Sequence, residues 1–599
     1  MPVTVQLLGA PSITVDGAPG PRPRGRKAWA VLAMLLLAER PPTRQQLAEL
    51  LFPEADDPLG SVRWTLAELR RMLGGSLRIE GDPVVAERTS PDDVIDVLDL
   101  ADAARAGAVV DRLATGDLLD GFTGETSAAF ESWLVVERHR MSAAVEAALR
   151  RATLSALVAG RVADAVRHAG ALVALNPLDE GNHVLLVRCL VAAGDRAAAA
   201  AQVEVCRSTL HRELGVGVSA ALVEAAATPL GTITRTPSIG RAAAVAQLDA
   251  GRAAISAGAV EAGIDCLRRA VTEASAGHDE RLHAQALLAL GSALVHSLRG
   301  FDDEGSVVLH EAIAAAEAAG DPKVAATAHR ELGFVEIQAG RHVTGDAFLR
   351  RAEELADNDA ELAALLGTRG MGASDRGDYA TAFDHLHRSI EAARSGADER
   401  QEAWSLSILG RAHLLREEHA EAADAVERSL ALVRAQRWLA FLPWPQALRA
   451  ELALRAADEG TARDEFEQSW ALATQLGDPC WEGVAARGLA LIHARGRHHD
   501  DAARWSEEAR VRCNRVTDRY QWIRGYVLDA DAAMALERGD EAAATAATDA
   551  LEVLAARCDL RELVVRAHLH RARLGAPQAR AAARLLADGI DNPALEALL

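Results

Sequence analysis

The sequence predicts a mainly α chain, with small β elements confined to its N-terminus and a long array of helical hairpins filling its C-terminal half. Three observations predict it. Of the residues, 49% are hydrophobic but only 4% aromatic, with alanine and leucine dominant, a composition that favours closely packed helices over sheets. Apolar residues recur with helical spacing over most of the chain. Beyond residue 240, pairs such as Leu290-Gly291, Leu332-Gly333 and Leu409-Gly410 return at intervals of roughly 38 to 42 residues. At 599 residues the chain exceeds a single core, and its length suggests roughly three to five domains.

Taken in order, residues 3–8 (VTVQLL) and 12–16 (SITVD) read as strands. Residues 25–38 read as a first helix with Trp29, Leu32, Leu35 and Leu36 apolar, and residues 43–51 as a second with Leu47, Leu50 and Leu51. Thr43 is placed to cap the second helix after Pro41-Pro42, and Phe52-Pro53 ends it. In residues 59–73, Val62, Leu66, Leu69 and Leu73 form one apolar stripe. Arg63, Trp64, Ala67 and Arg71 then point away from that stripe. Arginine on such a face suits phosphates or guanine edges, because its planar fork donates two hydrogen bonds at once. After Gly74-Gly75, residues 77–86 alternate around Gly81-Asp82-Pro83 and read as a β-hairpin wing.

This order of elements carries a resemblance. LLGAPSITVDG, then RGRKAWAVLAMLLLAERPPTRQQLAELLFPEADDP, then SVRWTLAELRRMLG, resembles the winged helix-turn-helix DNA-binding domain, of the OmpR type, of SARP-type bacterial transcriptional activators. It covers about the first ninety residues, and the LLF-P-acid-x-Asp-x-Pro string before the third helix is fairly specific. The resemblance implies sequence-specific binding to direct repeats in double-stranded promoter DNA, and the two-component-like regulator class that shares this winged helix. On that reading Arg63, Trp64, Thr65 and Arg71 are the candidates for base edges. Arg22, Arg24, Arg26, Lys27, Arg44, Arg70, Arg78 and Arg88 are the candidates for phosphates.

Charge is divided in a way that fits. The net charge is −21, yet residues 1–90 carry eleven basic and ten acidic residues, leaving −22 on the remainder. The acidic remainder repels DNA and confines contact to the N-terminal domain. Six scattered cysteines, without a Cys-x-x-Cys pair, indicate neither a disulfide framework nor a thiolate zinc site, and fit a reducing cytoplasm. The run AWAVLAMLLLA behind Lys27 imitates a targeting signal. It is too short, lies inside the chain and lacks a small-residue cleavage site, so it reads as helix one. No other apolar run is long enough to span a bilayer, and no membrane partner is expected.

From 96 to 227 the pattern is wholly helical, broken at Gly116, Gly121, Gly160, Asn176-Pro177 and Gly194. Pro177 is expected to start a helix after an Asn176 cap, and Gly215 to end one. FESWLVVERHRM, LNPLDEGNHVLLVRCLVAAGDRAAAAAQ and CRSTLHRELGVGVSAAL resemble the bacterial transcriptional activation domain that follows the winged helix in SARP-type regulators. Val203 and Val218 depart from it, standing where an aromatic and a proline are usual. The resemblance implies self-association on DNA, contact with RNA polymerase holoenzyme, and control of a secondary-metabolite (antibiotic) biosynthetic cluster.

Residues 228–240 (TPLGTITRTPSIG) read as a linker, and residues 241–599 as the array. Turns at Ala339-Gly340-Arg341, Arg376-Gly377-Asp378, Glu417-Glu418-His419, Glu459-Gly460, Arg495-Gly496-Arg497 and Arg538-Gly539-Asp540 lie between the marks. The units resemble tetratricopeptide repeats, although the period is nearer 40 than the usual value of about 34. HEAT-like repeats are the alternative. An α-solenoid of this kind is a binding surface for a peptide, protein or small ligand. Tryptophans 404, 438, 444, 470, 481, 505 and 522 either line such a groove or form core between helices, and Phe441-Leu442-Pro443-Trp444-Pro445 reads as a rigid interruption.

No catalytic constellation emerges, so the chain is not read as an enzyme. His498-His499-Asp500-Asp501 sits at a turn, where adjacent residues do not face one metal. The glycines at 20 and 25 enclose Pro-Arg-Pro-Arg, whose prolines lack the N–H groups of a phosphate cradle. No cofactor is expected, and no ATPase module separates the activation domain from the repeats. The competing reading is a scaffold or signalling adaptor that binds partners through its repeats.

Overall fold

A computed structural model describes residues 3–73, 75–106, 108, 116–124, 126–227, 240–256, 259–297, 302–514 and 520–599. The chain forms two compact units, one of Met1–Val145, Arg376–Tyr379 and Leu528–Leu599, the other of Glu146–Asp375 and Ala380–Val527.

The first unit opens with a small sheet. Strands β1 (Val3–Gln6), β2 (Ser12–Val15) and β3 (Ala18–Pro19) run antiparallel in sequence. Helices α1 (Lys27–Leu37), α2 (Arg44–Leu51) and α3 (Pro58–Leu73) follow, then the hairpin β4 (Leu77–Glu80) and β5 (Val85–Arg88). Strand β6 (Val94–Ile95) pairs parallel with β1 and gives the order β3-β2-β1-β6. Two-residue strands such as β3 and β6 are too short to carry an alternation, which is why periodicity misses them.

Local chemistry fixes these elements. Thr43 caps α2 as expected: its hydroxyl accepts from the Gln46 amide while the Gln46 side chain accepts from the Thr43 amide. The alternation of Leu77 and Ile79, both buried, turns one face of the wing onto the helices. Helix α4 (Asp96–Ala106) follows β6, and the Asp96 carboxylate accepts from the amides of Leu7 and Leu8 at 2.8 and 2.7 Å, tying it to the end of β1. Helix α5 (Ala128–Val158) begins in this unit, with Phe130, Trp133 and Leu134 buried. The unit closes with the C-terminal helices Glu541–Arg557, Arg561–Arg573, Ala579–Leu586 and Pro593–Glu596.

The second unit is helical throughout its described residues. Helices Val162–Leu175, Glu180–Ala192, Arg196–Leu214 and Ala220–Ala227 precede the repeats. Gly215 ends its helix in the left-handed conformation, as the sequence predicts. The cap at 176 is different. Asn176 is the C-cap of Val162–Leu175, and the next helix starts at Glu180, capped by Asp179, whose carboxylate accepts from the Gly181 amide at 2.9 Å. An aspartate one residue before the helix competes better for the free amides than an asparagine four residues away. Of the expected linker, residues 228–239 lie outside the described residues, as does Gly74.

Hairpins of paired helices make up the array, for example Pro322–Gln338 with His342–Leu355 and Glu399–Leu415 with His419–Ala435. The recurrent glycines are explained by nesting. A Cβ on Gly370 would stand 2.5 Å from Leu386 Cγ, and one on Gly410 2.6 Å from Val426 Cγ2. Two expectations need correction. Glu459-Gly460 begins the helix Glu459–Leu476, and the turn lies earlier, at Ala457 with φ of 60°. Pro443 and Pro445 do not interrupt the array but start the helix Pro443–Arg455, where the first-turn N–H groups they lack have no helical partner to lose.

Candidate nucleic-acid interface

Helix α3 is set by Asp57 and Pro58. Pro58 is pre-shaped for a first helical position, and the Asp57 carboxylate accepts from the Gly60 amide at 2.8 Å. The inward stripe is as the spacing predicts, with Val62, Leu66, Leu69 and Leu73 all at 1% exposure or less. On the outer side lie Leu59, Arg63, Trp64, Ala67 and Arg71, all exposed, and the Trp64 ring is half open to solvent. Arg63 makes one loose ion pair, 3.5 Å to Asp57.

Thr65 is placed differently from its three companions. It is buried, and its hydroxyl donates to the Ser61 carbonyl at 2.8 Å. This bond back into the helix satisfies the hydroxyl within α3, away from the outer face to which its candidacy for base edges would assign it. Glu68, absent from the sequence reading, is buried on the same helix and accepts from the Arg24 amide at 2.9 Å. It thereby pins the segment that carries Arg22, Arg24 and Arg26, all exposed, beside α3. A buried glutamate has no sequence signal beyond its spacing.

The remaining phosphate candidates divide by partner. Lys27 lies 5.2 Å over the Phe52 ring, and Arg26 donates to the Thr123 hydroxyl. Arg44 holds the wing tip, its amide on Asp82 at 2.9 Å and its guanidinium on the Gly81 carbonyl at 3.2 Å. Arg70 Nε donates to the Ile79 carbonyl at 2.6 Å and so ties α3 to the wing. Arg78 is exposed on the wing beside Glu80 and Glu87. Arg88 is turned toward α4, with Asp99 at 2.6 Å. The outcome is an exposed helix face flanked by a basic segment on one side and a wing on the other. Such a helix is about 10–12 Å across with its side chains, close to the roughly 12 Å width of a B-DNA major groove.

In the array most of the tryptophans pair with other rings. Trp444 stacks on Trp481 with centroids 5.0 Å apart, and Trp470 meets Trp505 edge-on at 5.1 Å. Trp522 lies under the Arg411 guanidinium at 4.3 Å. Arg411 is itself buried, paired with Asp375 at 2.7 Å and donating to the Tyr520 hydroxyl at 2.5 Å, while that hydroxyl donates to Asp375 at 2.8 Å. Trp444 and Trp522 are buried as core, and Trp404, Trp438, Trp470, Trp481 and Trp505 are half-buried. Among the described residues no helix is long and apolar enough to cross a membrane, and no group of three or more His, Cys, Asp or Glu side chains is placed to hold a metal ion.

Comparison with known families matches residues 97–228 to the bacterial transcriptional activator domain and residues 361–435 to the tetratricopeptide repeat. Among solved structures, the chain is similar to a Rap protein complexed with competence and sporulation factor, at 13% identity over 59% of this chain and 99% of that one, with a TM-score of 0.44. EmbR of Mycobacterium tuberculosis, in complex with a low-affinity phosphopeptide, matches at 21% identity over 38% of this chain and 64% of that one, with a TM-score of 0.28. Aspartyl phosphate phosphatase F of Bacillus subtilis matches at 12% identity over 59% and 97%, with a TM-score of 0.36. At these scores the structural likenesses carry no inference about this chain. No curated protein matches it in sequence.

Proposed function

Residues 97–228 are a bacterial transcriptional activator domain of the SARP type and tetratricopeptide repeats follow them, and from that premise we propose that the protein is a DNA-binding transcriptional activator whose α3 reads promoter DNA. The observation that carries the reading is the outer face of α3, where Arg63, Trp64 and Arg71 stand exposed on a helix anchored by its other side. Arg63 and Arg71 are assigned to base edges, with Trp64 packing beside them. Arg22, Arg24, Arg26 and Arg78 are assigned to phosphates, which position the helix without reading sequence. Thr65, Arg70 and Arg88 are assigned to holding α3, the wing and α4 together. The OmpR-type character of the winged helix, the direct-repeat operator, the contact with RNA polymerase and the antibiotic-cluster target belong to the same proposal, supported by the resemblance in the first 230 residues.

The test is binding of the full chain to DNA upstream of the neighbouring genes, against scrambled DNA, over a salt series. The expected result is a preference for the upstream duplex and an affinity whose logarithm falls linearly with log salt. Arg71→Ala should then cost about 1–3 kcal/mol on the specific duplex alone, whereas Arg22→Ala should weaken both duplexes and reduce the salt slope by about 1. Equal, weak binding to both duplexes would sink the reading. The weight would pass to a repeat-based scaffold, the second reading, which the repeats at 361–435 and the acidic bulk of the chain favour.

A further inference from the structure

Within the first unit, the segment joining α1 to α2 is held on two sides. Toward the wing, the Val84 amide donates to the Pro42 carbonyl at 2.8 Å and the Arg44 amide to Asp82 at 2.9 Å. Away from the wing, Arg40 pairs with Asp588 at 2.8 Å, and Glu39 accepts from Arg140 of α5 at 3.0 Å. Arg140 also donates to the buried Glu137 at 2.8 Å and lies 3.2 Å from Asp559, which in turn accepts from Arg376 at 2.8 Å. Burial works against the Arg140 charge, and Glu137, Asp559 and Glu39 more than offset it, so its pKa lies above the ordinary arginine value. Charges from four stretches of sequence thus meet at one arginine. Such a cluster is intact or costly, because removing one partner strands another buried charge.

We propose that the C-terminal helices form a clasp on residues 39–44 and, through that connector, set the position of the wing. The clasp leaves the outer face of α3 uncovered, so it acts on the reading head by holding its frame and not by blocking it. A half-open cleft of about 80 Å³ lies beside these ion pairs, lined by Leu50, Trp133, Leu585 and Leu586 together with Arg40, Arg140 and Asp559. A contact fastened by charges beside a solvent-open cleft opens more easily than a close-packed core. Whatever engages the terminal helices is therefore felt at the wing. The inference rests on the proposed DNA reading only for its effect on promoter binding.

Hydrogen exchange on the full chain tests it without DNA. Asp559→Asn keeps the shape and removes the charge shared by Arg140 and Arg376. The expected result is roughly tenfold faster exchange at the Arg44 and Val84 amides, with helices Glu399–Leu415 and His419–Ala435 unchanged. Unchanged exchange at Arg44 and Val84 overturns the proposal. Should Asp559→Asn loosen the whole chain, the decision passes to exposed positions: Asp588→Arg should speed exchange at the same two amides, and adding Arg40→Asp should restore it. Failure of the swap to restore protection overturns the clasp, because a loss through packing alone would not be rescued by exchanging the charges. If the clasp behaves as expected and neither form binds promoter DNA, the proposed function falls and the clasp stands.

Discussion

His329 shows how one side chain sets a pH response. It is 8% exposed, the Phe348 ring lies 5.9 Å away, and neither ring nitrogen has a hydrogen-bond partner among the described residues. Burial, with Arg351 and His310 adding to it, lowers its pKa to about 4. In the unfolded chain a histidine titrates near 6.5. The unfolded state therefore takes up a proton that the folded state refuses between those values, and stability falls as pH is lowered through that window. Denaturant unfolding of the full chain should show about 2 kcal/mol less stability at pH 5 than at pH 7 from this residue, and His329→Phe should remove that share of the slope. A slope unchanged by the substitution would place the titration elsewhere. The same scale shows what the sequence makes legible. Val62, Leu66, Leu69 and Leu73 are read correctly because an apolar stripe has one energetically sensible direction. Thr65 and Glu68 are not, because burial of a polar group depends on a partner elsewhere, here the Ser61 carbonyl and the Arg24 amide.

At the level of elements, the repeats contain a regularity that the Leu-Gly marks do not reveal. Ser389, Ser429 and Ser469 are fully buried in the second helix of successive hairpins. Each hydroxyl donates to a carbonyl 26 residues earlier, in the first helix or at its start: Ala363 at 2.6 Å, Ala403 at 2.7 Å and Pro443 at 2.9 Å. The serines stitch each hairpin closed at the same height. Ser429→Ala should cost about 1 kcal/mol in denaturant unfolding of the full chain, and Ser429→Val more, since the added methyls meet the facing helix. No loss in either variant would show that the bond is incidental. The glycine marks were legible because close helix approach demands a residue without Cβ, whereas a serine in a helix looks like any polar position until its partner is known. For the same reason Pro443 and Pro445 read as an interruption from sequence: a proline that starts a helix and one that ends it are the same residue with different neighbours.

For the molecule as a whole, the informative contacts are those that span the most sequence. In the second unit the Tyr520 hydroxyl reaches Asp375, 145 residues earlier, and shares it with Arg411. All three side chains are buried, so Tyr520→Phe leaves an ion pair short of a donor and should lower the unfolding free energy by about 1–3 kcal/mol, read as an earlier denaturant midpoint for the second unit. An unchanged midpoint would mean that water replaces the hydroxyl. Fold class and the order of elements were legible because they follow from local periodicity, but nothing in the sequence pairs Tyr520 with Asp375 or Arg140 with Asp559. The first unit extends this to timing. Its opening segment ends at Val145 and its closing one begins at Leu528, so a ribosome adding about 5–20 residues per second needs roughly 20–80 s between them. During that interval the Arg140 cluster lacks Asp559, so the connector at residues 39–44 has yet to gain the fastening proposed for it. In the proposed function, the segment that handles DNA is therefore made well before the residues that fasten it.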